Sequence, residues 1–80
     1  KGTTGHMLGA AGALAATIVT CAMHDGVLPP TINLDHVDPA VADLNHIANQ
    51  ACQRDIDFAI INSYGFGGHN SCLVMQKWVE

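Results

Sequence analysis

Lys1-Gly2-Thr3-Thr4-Gly5-His6 opens the chain and runs directly into Met7–Met23, a stretch rich in Gly and Ala that carries no formal charge. The run predicts a helix from about His6 to His24 that is apolar nearly all round, and such a helix belongs in the middle of a protein. Asp25-Gly26 supplies the stop, because Gly accepts the left-handed backbone that follows a last helical turn. Gly5 and Gly9, four residues apart, let neighbouring elements approach closely. In a bilayer that spacing reads as a dimer face; in a soluble α/β protein it reads as a helix sandwiched between sheets. Gly5–Met23 is borderline in length for a span and contains Ala, Gly, Thr17 and Thr20 in place of Leu and Phe, so the soluble reading is preferred and no membrane is expected.

Outward from the helix, Val27-Leu28-Pro29-Pro30-Thr31-Ile32 holds two prolines that forbid helix and favour an extended connection. Asn33 to Arg54 carries most of the acidic residues and admits two readings. Pro39 opens a short helix through Asn49, with Val41, Leu44, Ile47 and Ala48 on one face, or the same residues form an irregular loop with a short strand around Leu44 to Ile47. Phe58-Ala59-Ile60-Ile61 has the pattern of a strand covered on both faces. The Gly-rich segment Asn62-Ser63-Tyr64-Gly65-Phe66-Gly67-Gly68-His69-Asn70 interrupts it, and Cys72-Leu73-Val74-Met75 resumes as a second strand. The expected fold class is α/β: a buried apolar helix followed by an antiparallel strand pair joined by a Gly-rich loop.

Two short strands and one polar loop cannot enclose a helix that needs cover on every side. A chain this size buries only about 60–65% of its unfolded surface. Residues 1–80 are therefore expected to be the C-terminal portion of a larger domain, and the absence of an initiator Met agrees with a chain that has been cut. The net charge of −4 with only three Lys and Arg leaves no basic patch for phosphates, so no nucleic acid is expected. Cys21, Cys52 and Cys72 form no CxxC pair and read as reduced thiols in a cytosol-like compartment, Cys21 and Cys72 as small core residues. His24, His36 and His46 have no spacing of a metal site, so no metal is expected.

The chemistry lies in two places. His6, at the entrance of the helix, faces unsatisfied N–H groups that disfavour the imidazolium, which predicts a neutral ring able to donate one hydrogen bond to a developing oxyanion. A cap or an ordinary polar residue is the alternative reading of His6. Lys1 adds a fixed positive charge nearby. In the Gly-rich segment, Gly65, Gly67 and Gly68 permit backbone angles closed to other residues and let main-chain N–H groups face a ligand. Phe66 between them is an exposed aromatic suited to gate an apolar pocket, the alternative being a plain glycine hairpin. No GKS/T and no helix follow, which excludes a phosphate-binding loop.

Lys1, Gly5-His6, Leu8-Gly9-Ala10-Ala11-Gly12, Leu28-Pro29-Pro30-Thr31-Ile32-Asn33 and the segment Asn62 to Asn70 together resemble the C-terminal end of the β-ketoacyl-acyl carrier protein synthases. These are elongating condensing enzymes of fatty-acid synthesis on the thiolase fold, and the resemblance covers essentially the whole chain. It implies a ping-pong acyltransferase with a Cys-His-His set. Acyl groups load onto the cysteine, malonyl-acyl carrier protein is decarboxylated, and the carbanion attacks the acyl-enzyme. His6 matches the second histidine, which hydrogen-bonds the malonyl thioester oxygen as the enolate forms. Lys1 matches the lysine that supports the network. Phe66 matches the gating phenylalanine, with its N–H, flanked by Gly65 and Gly67, one arm of the oxyanion hole.

The same resemblance implies acyl carrier protein as partner, a homodimer of the full-length protein and no cofactor. The expected compartment is the cytoplasm, or a plastid or mitochondrion if a targeting segment has been lost. Gly2 stands where the family usually has Ser, Tyr64 where Phe is commoner, and His69 where many members have Thr. None of the three cysteines fits the nucleophile's place, and the first histidine is also absent. A polyketide ketosynthase and a non-catalytic ketosynthase-like partner subunit are the competing functions. His6 favours the elongating branch over the initiating synthases, chalcone-type enzymes and thiolases.

Overall fold

The computed structural model describes residues 1–79. A 3-10 turn, Leu8–Ala10, leads into helix α1, Ala11–Asp25. Ala-rich sequence loses little side-chain freedom in a helix, and the two threonines satisfy their hydroxyls inside it: Thr17 Oγ1 donates to Ala13 O at 2.8 Å and Thr20 Oγ1 to Ala16 O at 2.8 Å. Gly26 ends the helix as expected, left-handed at φ 68°, with its N–H on Ala22 O. The helix thus begins later than its sequence pattern, because Leu8 takes a positive φ of 51° and the first turn tightens to 3-10 form.

Four strands follow. Val27–Leu28 (β1) pairs antiparallel with Cys52–Gln53 (β2), and the ladder is prolonged by Arg54 N–H donating to Gly26 O at 2.9 Å. Phe58–Tyr64 (β3) pairs antiparallel with Asn70–Gln76 (β4), from Phe58 opposite Gln76 to Tyr64 opposite Asn70. Helix α1 packs against β1 and β3. Between β1 and β2, Asp38 caps a three-residue 3-10 turn at Pro39–Val41 by accepting from Ala40 N–H at 2.9 Å. The chain then turns away, so no helix extends to Asn49. The irregular alternative describes this segment, with a single parallel bridge between Thr31 and Ala48 in place of a strand at Leu44–Ile47.

The burial expected of the helix is not reached within these residues. Met23 alone is buried among the described residues, while Ile18 and Leu8 lie open. The strand β3 was expected to be covered on both faces, yet Ala59, Ile61 and Ser63 are half-buried whereas Phe58, Ile60 and Tyr64 are exposed. Cross-strand partners share a face, so Val74 and Cys72 join the open side opposite Ile60 and Asn62. Cys21 and Cys72, expected in the core, are exposed, Cys52 is half-buried, and all three are free thiols. One cause explains all of these departures: one helix and two narrow strand pairs supply too little surface to enclose two-sided apolar elements.

Candidate functional site

The Lys1–His6 segment is a turn closed by Gly5 N–H donating to Lys1 O at 2.7 Å. Gly5 holds φ 75°, a left-handed conformation that disfavours other residues. His6 comes next and does not sit in the first turn of α1, which starts five residues on at Ala11. The ring instead meets the N–H of the intervening 3-10 turn: Leu8 N–H donates to His6 Nδ1 at 2.9 Å. With Nδ1 occupied as an acceptor, the proton of the neutral ring resides on Nε2. The imidazole is thereby set as a hydrogen-bond donor through Nε2, by a single backbone amide two residues away. His6 thus lies outside the first turn of the long helix, within which the field of the macrodipole falls off, contrary to expectation.

Beside this turn an open groove of about 240 Å³ runs along α1, with Lys1, Thr4 and Gly5 at one end and Leu14 and Ile18 further along. Lys1 is exposed. Gly2 lies against a residue thirty positions away: a Cβ placed on it would stand 2.8 Å from Ile32 Cγ1. The missing side chain at position 2 lets Ile32 lie directly on the Gly2 Cα.

The second group occupies the connection between β3 and β4. Gly65 N–H donates to His69 O at 2.7 Å, and a short 3-10 turn, Phe66–Gly68, fills the loop. Gly67 and Gly68 have φ 74° and 79°, in the left-handed region that favours glycine. Gly65 differs from expectation. Its backbone is extended, φ −121° and ψ −179°, a conformation open to any residue. Phe66 projects almost wholly into solvent, 96% exposed. Each of the two turns is closed internally, and among the described residues no hydrogen bond runs from one to the other.

Asn49 is a residue that the sequence pattern did not single out. It adopts φ 64°, and its side-chain amide engages the backbone of Leu34 on both sides: Leu34 N–H donates to Oδ1 at 3.2 Å and Nδ2 donates to Leu34 O at 2.8 Å. Its signal was its type, since Asn is among the few residues that tolerate the left-handed region. Among the described residues no group of three or more His, Cys, Asp or Glu side chains gathers in one place.

Comparison with known proteins bears directly on these turns. Residues 1–35 match the family described as Beta-ketoacyl synthase, C-terminal domain. The 3-oxoacyl-(acyl-carrier-protein) synthase 2 of Coxiella burnetii is 48% identical over 77 residues, 96% of this chain and 18% of that protein. The chain belongs to the β-ketoacyl synthase family. The synthase 2 of Vibrio harveyi is 44% identical over 80 residues, all of this chain and 19% of that protein. That of Synechocystis sp. is 41% identical over 78 residues, 98% of this chain and 18% of that protein. The chain thus spans less than a fifth of the length of the curated relatives it matches. The family match takes in Lys1, Gly5, His6, the whole of α1 and the Pro29–Ile32 connection. A ketoacyl synthase C-terminal domain implies a thiolase-like α/β architecture, and the helix with two antiparallel strand pairs seen here agrees with it.

Proposed function

We propose that residues 1–80 are the C-terminal portion of a ketoacyl synthase domain that catalyses decarboxylative Claisen condensation in fatty-acid elongation. The substrates are an acyl group held as an enzyme thioester and malonyl-acyl carrier protein. The names of the relatives, each a 3-oxoacyl-(acyl-carrier-protein) synthase 2, support that substrate class. The nucleophilic cysteine and the first histidine come from residues outside these 80. The open faces of α1 and of β3 with β4 are where the rest of the domain packs, and the helix Leu8–Asp25, long and apolar enough to cross a membrane, serves as a core helix. Acyl carrier protein is the partner, the full-length protein is a homodimer, and the compartment is the cytoplasm or an organelle. A relative from Schizosaccharomyces pombe carries the word mitochondrial in its name.

In this reading His6 acts on the malonyl half of the reaction. Its Nε2–H donates to the thioester oxygen of the malonyl group. The bond between the α-carbon and the carboxylate carbon breaks, carbon dioxide leaves, and the electron pair passes into the thioester as an enolate. The donor is strongest for the enolate oxygen, where negative charge develops, so it lowers the barrier more than it strengthens ground-state binding. The α-carbon then attacks the acyl-enzyme carbonyl and the cysteine thiolate departs. Lys1 supports the charge network around His6. The Phe66 N–H, presented by the turn from Gly65 to Gly67, is one arm of the oxyanion hole for that second step, and the Phe66 ring is the gate.

The observation that carries the reading is the hydrogen bond from Leu8 N–H to His6 Nδ1, which leaves Nε2–H as the free donor. In the full-length protein, His6→Ala should reduce carbon dioxide release from malonyl-acyl carrier protein by about 10²–10³-fold, the effect of removing one such donor. Release at the unmodified rate would rule out the role given to His6.

A further inference from the structure

The Lys1–His6 turn rests on a segment remote in sequence, and that segment is itself held from further away. Ile32 abuts the Gly2 Cα, since a Cβ on Gly2 would meet Ile32 Cγ1 at 2.8 Å and Cδ1 at 3.4 Å. The backbone is tied on both sides of Ile32. Before it, Thr31 N–H donates to Ile47 O at 2.7 Å and Asn49 N–H donates to Thr31 O at 2.9 Å. After it, the Asn49 side-chain amide takes both backbone groups of Leu34, and Nδ2 also reaches Asp35 Oδ1 at 3.4 Å. Asn49 therefore bonds to the 31–34 segment with its main chain at one end and its side chain at the other. An isoleucine so placed has little freedom, because its branched Cβ restricts χ1.

We propose that Asn49 is a positioning residue for His6 and Lys1. Its amide holds Leu34, the held segment presents Ile32, and Ile32 seats Gly2. The turn is closed by Gly5 N–H on Lys1 O, so a shift at Gly2 passes to Lys1 on one side and to His6, next to Gly5, on the other. The proposal rests on the reading of His6 as donor to the malonyl thioester. It adds a requirement that this reading lacks: the malonyl half-reaction depends on a side chain that touches neither substrate nor His6, while loading of the acyl group onto the cysteine does not depend on it.

Asn49→Gly is the informative variant. Glycine retains the left-handed backbone of position 49 at no steric cost, so only the amide is lost. In the full-length protein, carbon dioxide release from malonyl-acyl carrier protein and acylation of the enzyme by acyl-acyl carrier protein are measured separately, beside His6→Ala. The expected result is a fall in decarboxylation on the order of ten-fold, a shift well under 1 Å being worth less than the ~10²-fold of a full ångström, with acylation at the unmodified rate. An equal fall in both half-reactions overturns the proposal, because it is what general loss of structure produces. Unchanged decarboxylation overturns it too, and if His6→Ala meanwhile abolishes carbon dioxide release, the role of His6 survives alone. If His6→Ala releases carbon dioxide normally, both readings fall.

Discussion

Produced by itself, the 80-residue chain should fail to unfold cooperatively and should bind a hydrophobic dye. On the proposed reading the perturbation is the removal of everything else in the domain, and the structure sets its size. The chain exposes 6569 Å², whereas a compact monomer of 8.4 kDa exposes roughly 4,600 Å² by the scaling of surface with mass. The excess is about 2,000 Å². If a little over half of it is apolar, as on ordinary protein surfaces, the uncovered area represents on the order of 25–30 kcal/mol of hydrophobic stabilisation not realised. That exceeds the whole net stability of a typical domain, about 5–15 kcal/mol. The apolar residues responsible are named by their exposure: Leu8 on the approach to α1, Phe58, Ile60 and Val74 on the open sheet face, and Phe66 at the loop tip. Calorimetry and dye fluorescence across a concentration series provide the assay. A soluble monomer with a single sharp transition and no dye binding would refute the surface argument.

Two further outcomes are expected. In the full-length protein Gly26→Ala should lower stability by about 1–2 kcal/mol, the cost of a left-handed non-glycine residue. The backbone term dominates, because the atom nearest the new Cβ is Asp55 Oδ1 at 2.6 Å, the end of an exposed side chain that can swing away; an unchanged melting temperature would contradict it. Thiol labelling under native conditions should modify Cys21 and Cys72 rapidly in the isolated chain, where both are exposed, and slowly in the full-length protein, where on the proposed reading the rest of the domain covers them. Equal rates in the two proteins would place these faces at the surface of the synthase.

The residues themselves determined a good deal. An uncharged Ala-rich run ending in Asp25-Gly26 specifies α1 and its stop, since helix propensity and a left-handed glycine are local properties. The two apolar runs around the glycines specify β3 and β4 and, with so few residues between them, their antiparallel pairing. The motifs around His6 and Phe66 were legible for the same reason, being contiguous in the chain. The tertiary structure decided the rest. It moved His6 out of the helix and gave its Nδ1 to Leu8 N–H, paired Val27–Leu28 with Cys52–Gln53, and brought Ile32 under Gly2 with Asn49 as its clamp. Each of these contacts except the first joins residues 15 or more positions apart, where no periodicity connects the partners. Even the Leu8 contact depends on an unfavourable positive φ, which propensity would not assign to a leucine. Short-range chemistry wrote the elements; which side chain rests on which backbone was set only when they packed.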